Sequence, residues 1–247
     1  MLNIALSGKT GISVSGSEVS GAVTVVATHT GAGAGGASFA LARVNPNVNP
    51  AVEIPQAFMA VGAQHGDEDV LTARGDAVVV SANAPGTVQT VLTPGTWVAL
   101  NSTGMGRPGF QVFTVSTSPS PAALPAAAAT QSAIEFGFNG PNVLHSGTTV
   151  RAQNAGFLVH MIDLIGLKSK AVWPKVRSLL LAGAGRKAFG PYLNGQFISL
   201  LDPASPGAMQ QQVLNAKPGF YVEACFMDTQ DHRQHTQVGM ERLVQVK

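Results

Sequence analysis

Only one cysteine, Cys225, occurs among the 247 residues, so no disulfide can form within the chain. A lone cysteine is most often a small buried hydrophobe, and that is the starting assumption for Cys225. Charge is scarce as well. Asp, Glu, Lys and Arg make up 11% of the residues, and the net charge of +2 leaves no strongly basic field. Apart from the modest group Lys168, Lys170, Lys175 and Arg177, the basic residues are scattered, which argues against a nucleic-acid partner. No apolar run approaches the roughly 20 residues that a membrane-spanning helix needs. Residues 1–7 lack the basic and apolar regions of a signal peptide, and are not read as one.

What is abundant is small or turn-forming. Glycine occurs 28 times and proline 15 times, and hydrophobic residues reach 45%. Short runs rich in β-branched residues, such as 23–28 (VTVVAT), 76–81 (DAVVVS) and 196–200 (QFISL), are bounded by turn residues. About seven such runs per 115 residues fit an all-β fold of small sandwiches. Two short helices are expected, at about 54–61 and about 173–181, the second with Pro174 in its first turn.

The chain also repeats itself. Residues 94–101 (PGTWVALN) match 218–225 (PGFYVEAC), and Pro85-Gly86 matches Pro206-Gly207. Residues 57–62 are echoed by 178–183, and the run 22–28 before Gly31 is echoed by 148–153 before Gly156. Offsets of roughly 120–130 residues throughout point to a duplication. The Ser/Pro/Ala-rich stretch between the copies has no strand or helix period. The expected organisation is therefore a first domain at 1–116, a linker at 117–132 and a second domain at 133–247.

The chemistry concentrates in the second copy. A strand ends at Cys225, a polar loop follows, and His235 is succeeded five residues on by Met240, which Gly239 precedes. A thiolate and imidazoles suit both oxidation states of copper, and a thioether adds a weak further bond. Glycine before the Met permits a tight bend. A further imidazole is available at His160, which opens an apolar strand after the turn at 154–156.

The strand with His160, the Pro-Gly-x-Tyr-x-x-x-Cys run of 218–225 and the His-x-x-x-x-Met of 235–240 together resemble the blue copper, or cupredoxin, family. The resemblance covers about 115 residues, and the Cys-x9-His spacing is closer to that of copper nitrite reductases than to the shortest family loops. It implies two Greek-key cupredoxin-like β-sandwiches in tandem, each with one short helix. It implies one copper ion held by His160, Cys225, His235 and Met240, with the imidazoles and thiolate as strong ligands and the Met as a long axial one. It further implies one-electron transfer with a redox partner protein, no catalytic turnover, and a place outside the cytoplasm. A copper storage or delivery module and a metal-free interaction sandwich are the alternatives, with a role like that of two-domain nitrite reductases as a further one.

Comparison of the copies sharpens this. Asn101 stands where the second copy has Cys225, the position of His160 falls near Ser38, and the Met-bearing loop shrinks to 102–108 with Met105. The first copy is not expected to bind copper. His232 competes with His235, but the spacing to Met240 favours His235. His29, His65 and His145 read as surface imidazoles, and no His-x-His pair of the kind used by multicopper oxidases is present. Glu223 departs from the family, because Tyr221, Glu223 and Cys225 share one face of a strand. It must be turned outward by a bulge, paired with Lys or Arg, or placed against the metal.

Overall fold

The computed structural model describes residues 1–31, 37–63, 78–103 and 107–247. His65 and Met105 lie outside the described residues. Strands dominate and helices are few and short. The chain forms two compact units, residues 1–126 with 208–210, and residues 127–207 with 211–247.

In the first unit β1 (Leu2–Ser7), β2 (Gly11–Gly16), β3 (Gly21–Thr30) and β6 (Gly86–Leu92) form one sheet in the order β6-β3-β1-β2. The strands β4 (Ala37–Arg43), β5 (Val78–Ala84), β7 (Gly95–Asn101) and β8 (Gly109–Val115) form the other, in the order β5-β4-β7-β8. In β1, residues alternate strictly between buried and exposed, as a strand packed on one face must. Leu2, Ile4, Leu6, Val25, Phe39 and Trp97 fill the space between the sheets. Helix α1 (Pro50–Ala63) starts four residues earlier than the apolar pattern suggests. Asn49 explains the early start, since its Oδ1 accepts the N–H of Ala51 at 3.2 Å while Pro50 supplies a preset first turn. Its Ile54 packs on Ala40, Ala42, Val98 and Leu100.

The second unit repeats the plan. One sheet contains β9 (Ala129–Ile134), β10 (Gly137–Asn139) and β12 (Thr149–Asn154). Facing it, β11 (Val143–Leu144), β13 (His160–Leu167), β14 (Leu193–Ala204), β16 (Gly219–Ala224) and β17 (Glu241–Val246) run in the order β11-β17-β16-β13-β14. The strand β15 (Met209–Val213) lies between β14 and β16 in the chain. The series β14-β13-β16-β17 reproduces β5-β4-β7-β8 of the first unit. Because β9 pairs with β10 and β12, the last residues of the stretch read as linker, 129–132, are strand. Helix α2 (Trp173–Leu181) occupies the expected residues. A further single turn, α3 (Arg186–Phe189), follows it. Val176, Leu180 and Phe189 cover Leu167, Val222 and Ala224 on the outer face of the sheet. Burying each of these large side chains contributes about 1.5–3 kcal/mol.

The alternate residues of β16 face inward, and this decides the fate of Glu223. The ladder with β17 runs without a bulge from Gly219 to Ala224 and sets Glu223 opposite Arg242. Glu223 is fully buried, and Arg242 Nε donates to its Oε2. Of the openings left by the sequence, pairing with an arginine is the one realised. Burial raises the Glu223 carboxyl and the guanidinium opposes it. Arg242 also donates to Gln131 Oε1 at 2.7 Å and to the carbonyls of Phe138 and Gly140. One guanidinium thus ties β17 to β9 and β10 across the sandwich. On β13, Asp163 is buried with its Oδ1 unpartnered, and burial, reinforced by the charge of Asp202, raises its pKa to about 8.

Two outcomes are expected. Arg242→Ala leaves a buried carboxylate uncompensated and should cost about 3–5 kcal/mol in urea denaturation, whereas Glu223→Leu/Arg242→Met should recover most of it. For Asp163 the folded pKa lies above the unfolded one, so the native state holds a proton that the unfolded chain has released. Its contribution to stability therefore declines as pH rises from about 4 to about 8. The stability gained by Asp163→Asn should grow across that window, measured on metal-free protein at pH 5 and pH 8.5; a constant difference would refute the assignment.

Candidate metal centre

Three separate structural devices converge at one end of the second unit. The first delivers His160. Asn154 is buried at the end of β12, and its Nδ2 donates to the carbonyls of Leu158 at 2.7 Å and Ala204 at 2.8 Å. Its Oδ1 accepts the N–H of Gly156 at 2.9 Å. A single amide side chain therefore closes the 155–159 loop and fastens it to Ala204, the residue opposite His160 in the β13–β14 ladder.

The second device is the β16–β13 ladder, which pairs Ala224 with Asp163. It brings Cys225, the next residue, back against the start of β13, where the N–H of Met161 points at Cys225 Sγ at 3.3 Å. The third is the return loop. Gln234 opens a 3₁₀ turn at His235–Val238, with reciprocal bonds between Gln234 and Gln237. His235 N–H donates to Met227 O at 2.7 Å, Met240 N–H to His235 O at 2.9 Å, and Cys225 N–H to Met240 O at 3.3 Å. Gly239 sits at φ +98°, a conformation that a residue with a Cβ resists, so the bend before Met240 depends on glycine.

These devices bring together three side chains. His160 Nδ1 lies 3.2 Å from His235 Nδ1, and Cys225 Sγ lies 3.3 Å from His235 Nδ1 and 3.8 Å from His160 Nδ1. All three residues are buried. Met240 is buried too, and its backbone is bonded to both Cys225 and His235. A point equidistant from the three atoms lies about 2 Å from each, and bonds from a first-row metal ion to imidazole nitrogen and thiolate sulfur are about 2.0–2.3 Å long. The cluster can hold a metal ion. Burial, with the nearby His235 as a second cause, pushes His160 down to about 4. Its ring is neutral at pH 7 and its lone pair is available to a metal.

His232 stands apart. It is exposed on the loop at φ +60°. His145 is exposed, but His29 departs from the surface reading, with its Nε2 buried and unpartnered on β3. In the first unit, the position matching Cys225 carries a different arrangement. Asn101 is buried, and its Nδ2 donates to the carbonyls of Gly11 at 2.8 Å and Gly8 at 3.4 Å. Beside it, Ser38 and Ser102 share a hydroxyl bond of 2.9 Å. Hydrogen bonds among small polar groups take the place of the sulfur and imidazoles there.

Two neighbours of the cluster had no signal in the sequence. The ring of Phe136 meets His235 edge-on, with centroids 5.3 Å apart, and is itself exposed. Glu135 Oε1 lies 3.9 Å from His160 Nε2 and accepts the N–H of Phe157. Burial acts to raise the Glu135 carboxyl, but the backbone N–H bond and its companions outweigh this and hold it below the usual range. Glu135 and His160 are separated along the chain by β10, β11 and β12, and no spacing rule connects them.

No family model matches the chain, and no curated protein matches it. Solved structures do. An auracyanin from Roseiflexus castenholzii is 17% identical, aligning 49% of this chain with 99% of its own at a TM-score of 0.29. Auracyanin A from Chloroflexus aurantiacus, described as a blue copper protein, is 16% identical, with 48% and 99% covered and a TM-score of 0.27. A Cu-containing nitrite reductase from Thermus scotoductus SA-01 is 10% identical, with 100% and 67% covered and a TM-score of 0.28.

Since Cys225 has no exposed surface, the metal-free native protein should consume an aromatic disulfide reagent slowly, and one thiol per chain should react at once in denaturant. Rapid reaction of the native protein would mean that the 225–240 loop opens readily.

Proposed function

We propose that the second unit binds one copper ion through His160, Cys225, His235 and Met240 and passes single electrons to and from a redox partner protein. The observation that supports this best is the buried triangle of two imidazole nitrogens and one sulfur. Two imidazoles and a thiolate in a trigonal set, with a thioether in reserve, suit a copper electron-transfer site. Copper, when bound, supplies the one-electron couple. The residues of this chain do the rest.

The imidazoles would present Nδ1 to the metal and keep their protons on Nε2. The Met161 N–H directed at Cys225 Sγ offsets part of the negative charge on a thiolate. Cys225 is anchored by the end of β16, His160 by Asn154, and His235 by the capped 3₁₀ turn. Ligands held from three directions move little when the metal changes charge, and a small rearrangement keeps the barrier to electron exchange low. Exposed Phe136 meets His235 edge-on, and exposed Phe157 follows Gly156 and donates its N–H to Glu135. Together they offer a partner an apolar landing at the end of the unit nearest the metal, in keeping with a transient encounter.

A storage or delivery module would need open, exchangeable ligands, and the burial of all four side chains weighs against it. The six histidines form no His-x-His pair, and electron transfer rather than turnover is the role assigned here. No helix among the described residues is long and apolar enough to cross a membrane. A place outside the cytoplasm belongs to the proposal as well.

The test is titration of reduced, metal-free protein with Cu(II). An intense visible thiolate-to-copper band should saturate at one ion per chain, vanish in Cys225→Ala, weaken strongly in His235→Ala and persist in His232→Ala. Rapid loss of the metal to a chelator would favour the delivery module. No band, with no metal retained after desalting, would overturn the copper reading and leave an interaction sandwich.

A further inference from the structure

The centre has an edge that its ligands do not explain. His160 Nε2 is buried and has no hydrogen-bond partner. The charged atom facing it is Glu135 Oε1, at 3.9 Å, a gap that a bridging water or a small side-chain rotation closes. That oxygen is held in place, because the N–H of Phe157 donates to it. The intervening space exists only because residue 156 is glycine. A Cβ there would stand 2.5 Å from Glu135 Oε1 and 2.9 Å from His160 Nε2. An oriented carboxylate, an unpartnered imidazole nitrogen and a missing side chain between them form one arrangement.

We infer that Glu135 is a positioning residue for His160, holding its Nε2 proton and lowering the reduction potential of the bound copper. This rests on the copper reading above. Carboxylates on the far nitrogen of a ligand imidazole fix its tautomer and orientation and strengthen it as a donor. Coordination at Nδ1 draws charge from the ring and makes Nε2–H a stronger donor, more so with Cu(II) than with Cu(I). A fixed negative charge beside it therefore stabilises the oxidised state more than the reduced one. Glu135 is half-exposed, so it acts from the rim of the site, beside Phe136 and Phe157, where a partner's approach would change its solvation.

Glu135→Gln is the informative variant, since glutamine keeps an oxygen for the Phe157 N–H and removes only the charge. Wild type, Glu135→Gln and Gly156→Ala are loaded with one equivalent of Cu(II), and the band and the midpoint potential are recorded. The band should remain in Glu135→Gln, showing the ligand set intact. Cu(II) affinity should fall roughly tenfold with Cu(I) affinity little changed, which raises the potential by about 59 mV for a one-electron couple. Gly156→Ala should move the potential in the same direction. A band with unchanged potential in Glu135→Gln overturns this inference alone. No band in the wild type overturns the copper reading and this inference with it.

Discussion

The antiparallel pairing of β16 with β13 is the constraint on which the site depends. Its register sets Ala224 against Asp163 and so delivers Cys225 to the start of β13, beside His160 and Met161. Shifting the pairing by one residue would send Cys225 to the opposite face, because strand side chains alternate. The same inner face carries Glu223, whose pair with Arg242 reaches β9 and β10. The strand that carries the sulfur therefore also pairs, on its other edge, with the strand that carries the guanidinium joining the two sheets of the unit. The outer face of β16 is sealed by α2 and α3, so the strand is held on both sides and neither can relax independently.

The two units show how one backbone plan supports different chemistry. Asn101 faces Phe39 in the β4–β7 ladder, and continuing the β13–β16 register by one step sets Ile162 against Cys225 in the same manner. At this shared position the first unit has an amide that satisfies the β1–β2 turn, and the second has a sulfur with two imidazoles within 4 Å. The amide donates to two carbonyls through Nδ2 and accepts the N–H of Thr103 at Oδ1, which makes it a structural device. Sulfur and imidazole nitrogens facing one another are a poor hydrogen-bonding set and a good ligand set.

Polar groups at the centre are arranged in layers. The innermost are the nitrogens and sulfur of His160, His235 and Cys225, the proposed ligand atoms. Around them, Asn154, Gln234 and Gln237 spend their amides on closing loops, and the N–H of Met161 faces the sulfur. Outermost is Glu135, itself oriented by a backbone N–H. Each layer limits the freedom of the one inside it, which suits the electron-transfer role proposed for the site.

Much of this was legible in the sequence because it is local. The strand-forming runs, the helix at 173–181, the repeat of the Pro-Gly strand and the Gly239 bend depend on residues within a few positions of one another. The spacing from Cys225 to His235 and Met240 belongs to one loop. Glu223 could be marked as a buried charge in need of a partner by alternation alone, yet nothing in the sequence named Arg242, which the β16–β17 register supplies. The early start of α1, the strand character of 129–132 and the buried Nε2 of His29 depend on pairing and capping that composition does not encode. Glu135 was invisible for the same reason. Its relation to His160 exists only where β9, the 155–159 loop and β13 meet around a glycine. The sequence by itself determined which donor atoms exist and which segments carry them. The tertiary structure decided which of them meet, because contacts between distant strands are set by register and burial rather than by spacing along the chain.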